Sequence, residues 1–197
     1  MQLVLASTSP QRRAILRQLG IPFTVHAPAY VEEALPISAA ELVERHAAGK
    51  AAAASAVVVD RPVLGVDTAV VTSSGAVLGK PATSEEASAM LASLAGTRHS
   101  VLSGLALVGA TGSYVGHAVT DVSFRQLDPA TIAAYVACGE WRGRAGAYAI
   151  QGVGAALVER VEGCYSNVVG LPVALLIEAF HALGIPFLPA GDRSSSA

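Results

Sequence analysis

Two cysteines in 197 residues, Cys138 and Cys164, are too few for a disulfide framework. Neither falls in a Cys-x-x-Cys or Cys/His metal spacing. The chain must therefore hold itself together by its apolar core, and a reducing cytoplasmic setting is expected. Aromatic residues supply only 5% of the sequence, so that core has to be built from Ala, Val and Leu. Charge is also sparse: 13 Lys and Arg against 15 Asp and Glu leave a net −2. No overall positive field exists to hold a nucleic-acid polymer, and the interleaved basic and aromatic residues of a single-strand groove are missing. Every apolar run is broken by charge or glycine well before the roughly 20 residues a membrane-spanning helix needs. No basic leader precedes the first apolar stretch, so neither membrane insertion nor export is expected.

What remains is a chain that is 52% hydrophobic and 14% charged, which is the composition of a packed α/β protein. Its length suits one domain of two joined lobes over residues 1–189. Residues 190–197 are Ser-rich with nothing to bury and are expected to be disordered.

Leu3 to Ala6 predicts a short buried strand that stops at Ser7-Thr8-Ser9-Pro10, after which Ile15, Leu16 and Leu19 recur at helical spacing up to Gly20. Ser9 fits an N-cap with Pro10 at the first helical position. A further strand is expected over 21–25 and an Ala-rich helix carrying Lys50 from Ser38 to about Ala56. The near-continuous run from Val63 to Val71 predicts a central strand, interrupted by Gly65 and by Asp67-Thr68. Ser73-Ser74-Gly75 predicts a hairpin that returns Gly79-Lys80-Pro81 beside this strand, making Asp67 and Lys80 neighbours. A helix over 84–94, strands near 99–108 and 114–124, a helix from Asp128-Pro129 to about Gly139, a Gly-rich loop over 143–154 and a closing helix over 171–183 complete the pattern.

Ser7-Thr8-Ser9-Pro10-Gln11-Arg12-Arg13 places hydroxyls, helix-start amides and two guanidiniums around one turn, which is a phosphate cradle in chemical terms. Two arginines there otherwise oppose the helix dipole. Asp67 is the sharpest feature, because a carboxylate in an apolar strand requires a cation, a metal or a catalytic role. Pairing with Lys80 is the structural alternative. Glu32-Glu33 supplies oxygen ligands suited to Mg²⁺, although such a pair is commonly only a solvated loop. Lys50 taken alone fits a solvated helix face. Glycines at 143, 146 and 152 permit close backbone approach, and the Gln151 amide has the groups to read a base edge. His99, His117 and His181 share no metal-ligand spacing and receive no role.

Taken together, Leu-Ala-Ser-Thr-Ser-Pro-x-Arg-Arg, Glu32-Glu33, Gly-x-Asp-Thr around Asp67, Leu-Gly-Lys-Pro at Lys80, Ala-Gly-Ala-Tyr-x-Ile-Gln-Gly and Val-Val-Gly-Leu-Pro resemble the Maf family in order and spacing, from Leu3 to about Leu183. The resemblance implies an α/β fold with a mixed twisted sheet, flanking helices and two lobes around a central cleft, related to that of the inosine triphosphate pyrophosphatases. It implies a nucleoside triphosphate pyrophosphatase that uses Mg²⁺ or Mn²⁺ and is usually a homodimer. On this resemblance Asp67 takes the position of the proton acceptor, and Lys50, Lys80 and Glu32 or Glu33 line the cleft. Asp67, Glu32 and Glu33 are the candidate metal ligands. Ser7, Ser9, Arg12 and Arg13 match the phosphate loop, and Gln11 within it is a further candidate for substrate binding. Thr68 and Gln151 match the branch acting on dTTP and UTP. Two positions depart from that branch: Gln11 replaces an arginine, and Arg144 replaces a lysine, which keeps charge but changes donor geometry. The alternative from another class is a nucleotide-binding regulator of division or septum formation, which needs the cradle but not Asp67 as a base.

Overall fold

The apolar run at the start of the chain forms β1 (Leu3–Ala6), with all four side chains buried, as in a strand covered on both faces. In the computed structural model, which describes residues 2–187, β1 lies inside a seven-stranded sheet. The end expected to be disordered, 190–197, lies outside the described residues. Ser9 caps α1 (Pro10–Gln18), with proline in the first turn as anticipated. After β2 (Phe23–Val25), Ser38 and Glu41 form a reciprocal capping box that opens α2 (Ala39–Ser55). There follow β3 (Val63–Thr72), β4 (Val77–Leu78), α3 (Ser84–Leu94), β5 (Arg98–Gly109), β6 (Gly112–Phe124), α4 (Pro129–Cys138), β7 (Val158–Glu162), α5 (Tyr165–Val169) and α6 (Val173–Ala182).

The strand order is β2-β1-β3-β5-β6-β7, with β4 also paired to β3. Strands β2, β1 and β3 run parallel, and β3, β5, β6 and β7 alternate in direction. The expected mixed sheet with flanking helices is what the chain forms. Two segments differ from expectation. The closing helix forms as α6, but an unexpected short helix, α5, precedes it and ends at Gly170, whose φ is 120°. The Gly-rich stretch is not a plain loop: it makes two 3-10 turns and buries Ala147, Tyr148 and Ile150.

The apolar interior is divided. One cluster joins Leu5 and Leu64 of the sheet to Leu16 of α1 and Leu176 and Phe180 of α6. A second joins Val101 and Phe124 to Leu91 of α3, Tyr135 of α4, Trp141 and Tyr148. Strand β3 serves both, giving Leu64 and Val66 to the first and Val70 to the second. Asp67 and Thr68 fall at the junction between them.

On the opposite face α2 packs through Ala47, Ala51 and Ala54 against Val4, Val63 and Ala106. Here two glycines fix the spacing. A β-carbon on Gly65 would stand 2.1 Å from the Ala47 carbonyl oxygen, and one on Gly104 would stand 2.1 Å from that of Val43. The α2 backbone therefore rests directly on β3 and β5, a closeness that only glycine permits. Among the described residues no helix is long and apolar enough to cross a membrane.

Candidate active site

Strand β1 pairs with β3 only as far as Ala6 beside Gly65, and β4 takes up the same edge of β3 at Val70. Between them, residues 66–69 present an open edge just beyond the carboxyl end of β1, where α1 begins. Ligands of open α/β sheets bind in such places. Alternation along the strand sends Asp67 to the same face as Gly65, toward α2, and Thr68 to the other face.

Because Gly65 seats α2 on the sheet, Lys50 of α2 reaches Asp67. Its Nζ lies 2.6 Å from Asp67 Oδ1 and 2.5 Å from Glu32 Oε1. The Lys50 and Asp67 side chains are only 10% and 13% exposed, whereas Glu32 is 49% exposed. Lys50 thus takes the place that the structural alternative gave to Lys80. The hairpin does form, but its ladder ends at Leu78, and the cation on Asp67 comes from α2. Lys80 is exposed and still contributes to the site, since its charge acts on Glu32. Burial pushes the Glu32 carboxyl up, but the hydrogen bond and charge of Lys50, with the charges of Lys80 and His46, outweigh it and hold Glu32 below its ordinary value. Glu33, next in the chain, lines a separate surface groove with Tyr30, Arg45 and Gly49. The two glutamates are thus divided, and only Glu32 joins Asp67.

Arg12 is the hub of the other face. Its Nε donates to the Gly170 carbonyl at 2.9 Å, Nη1 to Ser7 Oγ at 3.0 Å and Nη2 to Thr68 Oγ1 at 3.0 Å. One guanidinium thereby ties the end of β1, the middle of β3 and the turn between α5 and α6. Burial pulls its pKa down, opposed by the charges of Asp67 and Glu32, so Arg12 feels the field of both carboxylates. Arg13 has a buried Nε with no hydrogen-bond partner among the described residues. Ser9 Oγ accepts the Arg12 amide and donates to Gln11 Oε1 at 3.3 Å. Gln11 therefore folds back on the cap.

Gln151 is exposed and lines a cavity of about 220 Å³ with Ile15, Gln18, Ser166 and Val169. The cavity shares α1 and α5 with the anchorage of Arg12 but lies about a turn further along α1. Sequence reasoning did not single out Ser103 or Asn167. Thr68 Oγ1 meets Ser103 Oγ at 2.9 Å. The fully buried Asn167 donates to the Val101 carbonyl and to Thr120 Oγ1, joining α5 to β5 and β6 beneath that contact. A serine inside the apolar run of β5 was the available signal, because a polar side chain in a buried strand requires a partner.

The donor set also bears on a metal. No group of three or more His, Cys, Asp or Glu able to hold one occurs among the described residues. Two carboxylates do converge on one cation, Lys50 Nζ, and neither Asp67 Oδ2 nor Glu32 Oε2 has a hydrogen-bond partner among those residues. Two hard-oxygen ligands with room for water and phosphate oxygens match the habit of Mg²⁺ and Mn²⁺. The residues present fit such an ion.

An anion cradle at a helix start, set across a strand edge from two carboxylates that share a lysine, defines the class: an α/β protein with a site for a polyanion. Within that class the chain belongs to the Maf-like protein family, whose family model matches residues 2–183. It is 48% identical to a dTTP/UTP pyrophosphatase of Pelotomaculum thermopropionicum, over 93% of this chain and 97% of that one. It is 47% identical to proteins of the same name from Symbiobacterium thermophilum, over 96% and 98% of the two chains, and from Moorella thermoacetica, over 93% and 96%. The solved Ham1 protein of Staphylococcus aureus overlaps 63% of this chain and 72% of that one at TM-score 0.45 and 15% identity, too slight a likeness to carry weight.

Proposed function

We propose that this chain hydrolyses a nucleoside triphosphate to the monophosphate and pyrophosphate. The observation that carries the proposal is the meeting of Asp67, Glu32 and Lys50 at the open edge of β3, with Arg12 tied to the next residue, Thr68. Arg12, Arg13, Lys50 and Lys80 carry four positive charges against two from Asp67 and Glu32. That excess suits a triphosphate and supports transition-state charge as well. A divalent cation held by Asp67 and Glu32 would neutralise phosphate charge and make the α-phosphorus more electrophilic.

The chain's own residues supply the rest. Ser7, Ser9 and the first turn of α1 receive phosphate oxygens. Asp67, with Oδ1 engaged by Lys50, keeps Oδ2 to accept a proton from the attacking water. The water oxygen bonds to the α-phosphorus, the bond from that phosphorus to the α,β-bridging oxygen breaks, and pyrophosphate leaves with the electron pair.

The substrates we favour are dTTP and UTP, the nucleotides in the names of the relatives. Gln151 supports this, since its amide stands at a cavity with apolar walls from Ile15, Leu19 and Val169, an arrangement suited to a base read at one edge. Thr68 contributes differently, by holding Arg12. Product analysis with dTTP, UTP and CTP tests the proposal. Monophosphate with pyrophosphate is expected, fastest for dTTP and UTP, whereas diphosphate with orthophosphate would place the cleaved bond elsewhere.

A further inference from the structure

Glu32 lies on a stretch, residues 27–36, that belongs to no helix or strand. Among the described residues the flanking backbone bonds are His26 to Leu5 and Ile37 to Leu35, and none in between ties the stretch to the body of the protein. Ordering ten residues in this way carries a large entropic cost, so something must fix Glu32 on Lys50.

Tyr30, two residues earlier, supplies the anchorage. Its hydroxyl is hydrogen-bonded to His46 Nδ1 at 3.0 Å, and the two rings meet edge to face at 5.7 Å. His46 is 5% exposed and lies one helical turn before Lys50 on α2. Between them, Gly49 makes a socket. A β-carbon there would stand 2.1 Å from Tyr30 Cε2, and its three nearest heavy atoms all belong to the Tyr30 ring. A glycine inside a helix costs stability relative to alanine, and this one is occupied by an aromatic ring. Tyr30 onto His46 and Glu32 onto Lys50 are thus two tethers from one loop to consecutive turns of one helix.

We propose that Tyr30 and His46, with Gly49 as the socket, are positioning residues that hold Glu32 at the site. This role rests on the hydrolase reading above. Its tests separate the two claims by following Mn²⁺ binding alongside turnover. Mn²⁺ is titrated by electron paramagnetic resonance in the presence of a non-hydrolysable α,β-methylene triphosphate analogue. Tyr30→Ala should weaken Mn²⁺ binding about 10-fold and raise the KM for metal more than it lowers kcat.

Gly49→Ala should do the same while its Tm stays level or rises, because alanine favours the helix. A merely structural role would move both in the same direction. In the Tyr30→Ala background, Gly49→Ala should add no further loss, since the ring it displaces is gone. In a Glu32→Ala background, Tyr30→Ala should likewise have no further effect. Wild-type Mn²⁺ binding in both single variants, or a further loss on Tyr30→Ala without Glu32, would overturn the assignment to Tyr30. A wild-type protein without turnover would overturn the hydrolase reading instead, and the Mn²⁺ titration would still decide the role of Tyr30.

Discussion

Replacing Gly65 with alanine adds one methyl group on the face of β3 that carries Asp67, and the consequence can be worked from distances. The new carbon would lie 2.1 Å from the Ala47 carbonyl oxygen and 2.8 Å from the Ala51 amide nitrogen, both of them α2 backbone. Ordinary contact needs about 3.4 Å or more, so α2 must rise by about 1 Å over its middle turns. Overpacking of this kind costs about 1–3 kcal/mol of stability. Lys50 is carried on the same turns, so its 2.6 Å contact with Asp67 should open, and a misplacement of about 1 Å costs on the order of 100-fold in rate. The assay is kcat/KM for dTTP beside urea denaturation. Gly109→Ala is the control, because a carbon there would meet only Leu183 and Ile185 side chains at 3.6 and 3.7 Å. Gly65→Ala with wild-type turnover and wild-type stability would refute the claim that glycine seats α2 and sets the Lys50–Asp67 contact.

Two further outcomes follow from the geometry. Thr68→Val removes the hydroxyl that accepts from Arg12 Nη2 and meets Ser103; a lost bond to a charged donor is worth about 1.5–3 kcal/mol, so kcat/KM should fall by about 10- to 100-fold with the fold intact, as circular dichroism would check. His99 is 1% exposed and burial pulls its pKa down to about 4 from 6.5, so between those values the unfolded chain binds the proton that the folded one refuses. Stability contributed by His99 is therefore complete above pH 6.5 and is lost as pH falls toward 4, by about 3 kcal/mol at roughly 1.4 kcal/mol per pH unit. Urea titrations from pH 7.5 to 4 should show that decline in the wild type and a shallower one in His99→Gln; parallel curves would contradict it.

Much of this architecture was legible in the chain. Periodicity located the strand–turn–helix at Ser7–Arg13, the central strand with its misplaced carboxylate, and the Ala-rich helix bearing Lys50. Such local signals survive because capping and burial act within a few residues. What pattern did not yield was the partner of Asp67. Hairpin logic pointed to Lys80, yet the height of α2 over the sheet depends on Gly65 and Gly104 meeting backbone 14 or more positions away in sequence. An isolated glycine in a strand is the only trace such a contact leaves. Glu32 and Glu33 were equivalent for a similar reason, since the choice between them depends on Tyr30 lodging against Gly49. The Thr68–Ser103–Asn167 contacts join three segments distant in the sequence, and only the serine within β5 hinted at them.

The account stands most directly on Asp67. In Asp67→Asn, Lys50 keeps Glu32 as a partner at 2.5 Å, so the shape and folding of the site should survive. Turnover of dTTP to monophosphate and pyrophosphate should nevertheless drop at least about 100-fold, the usual loss when a general base is removed. A folded Asp67→Asn protein releasing pyrophosphate at the wild-type rate would contradict the mechanism.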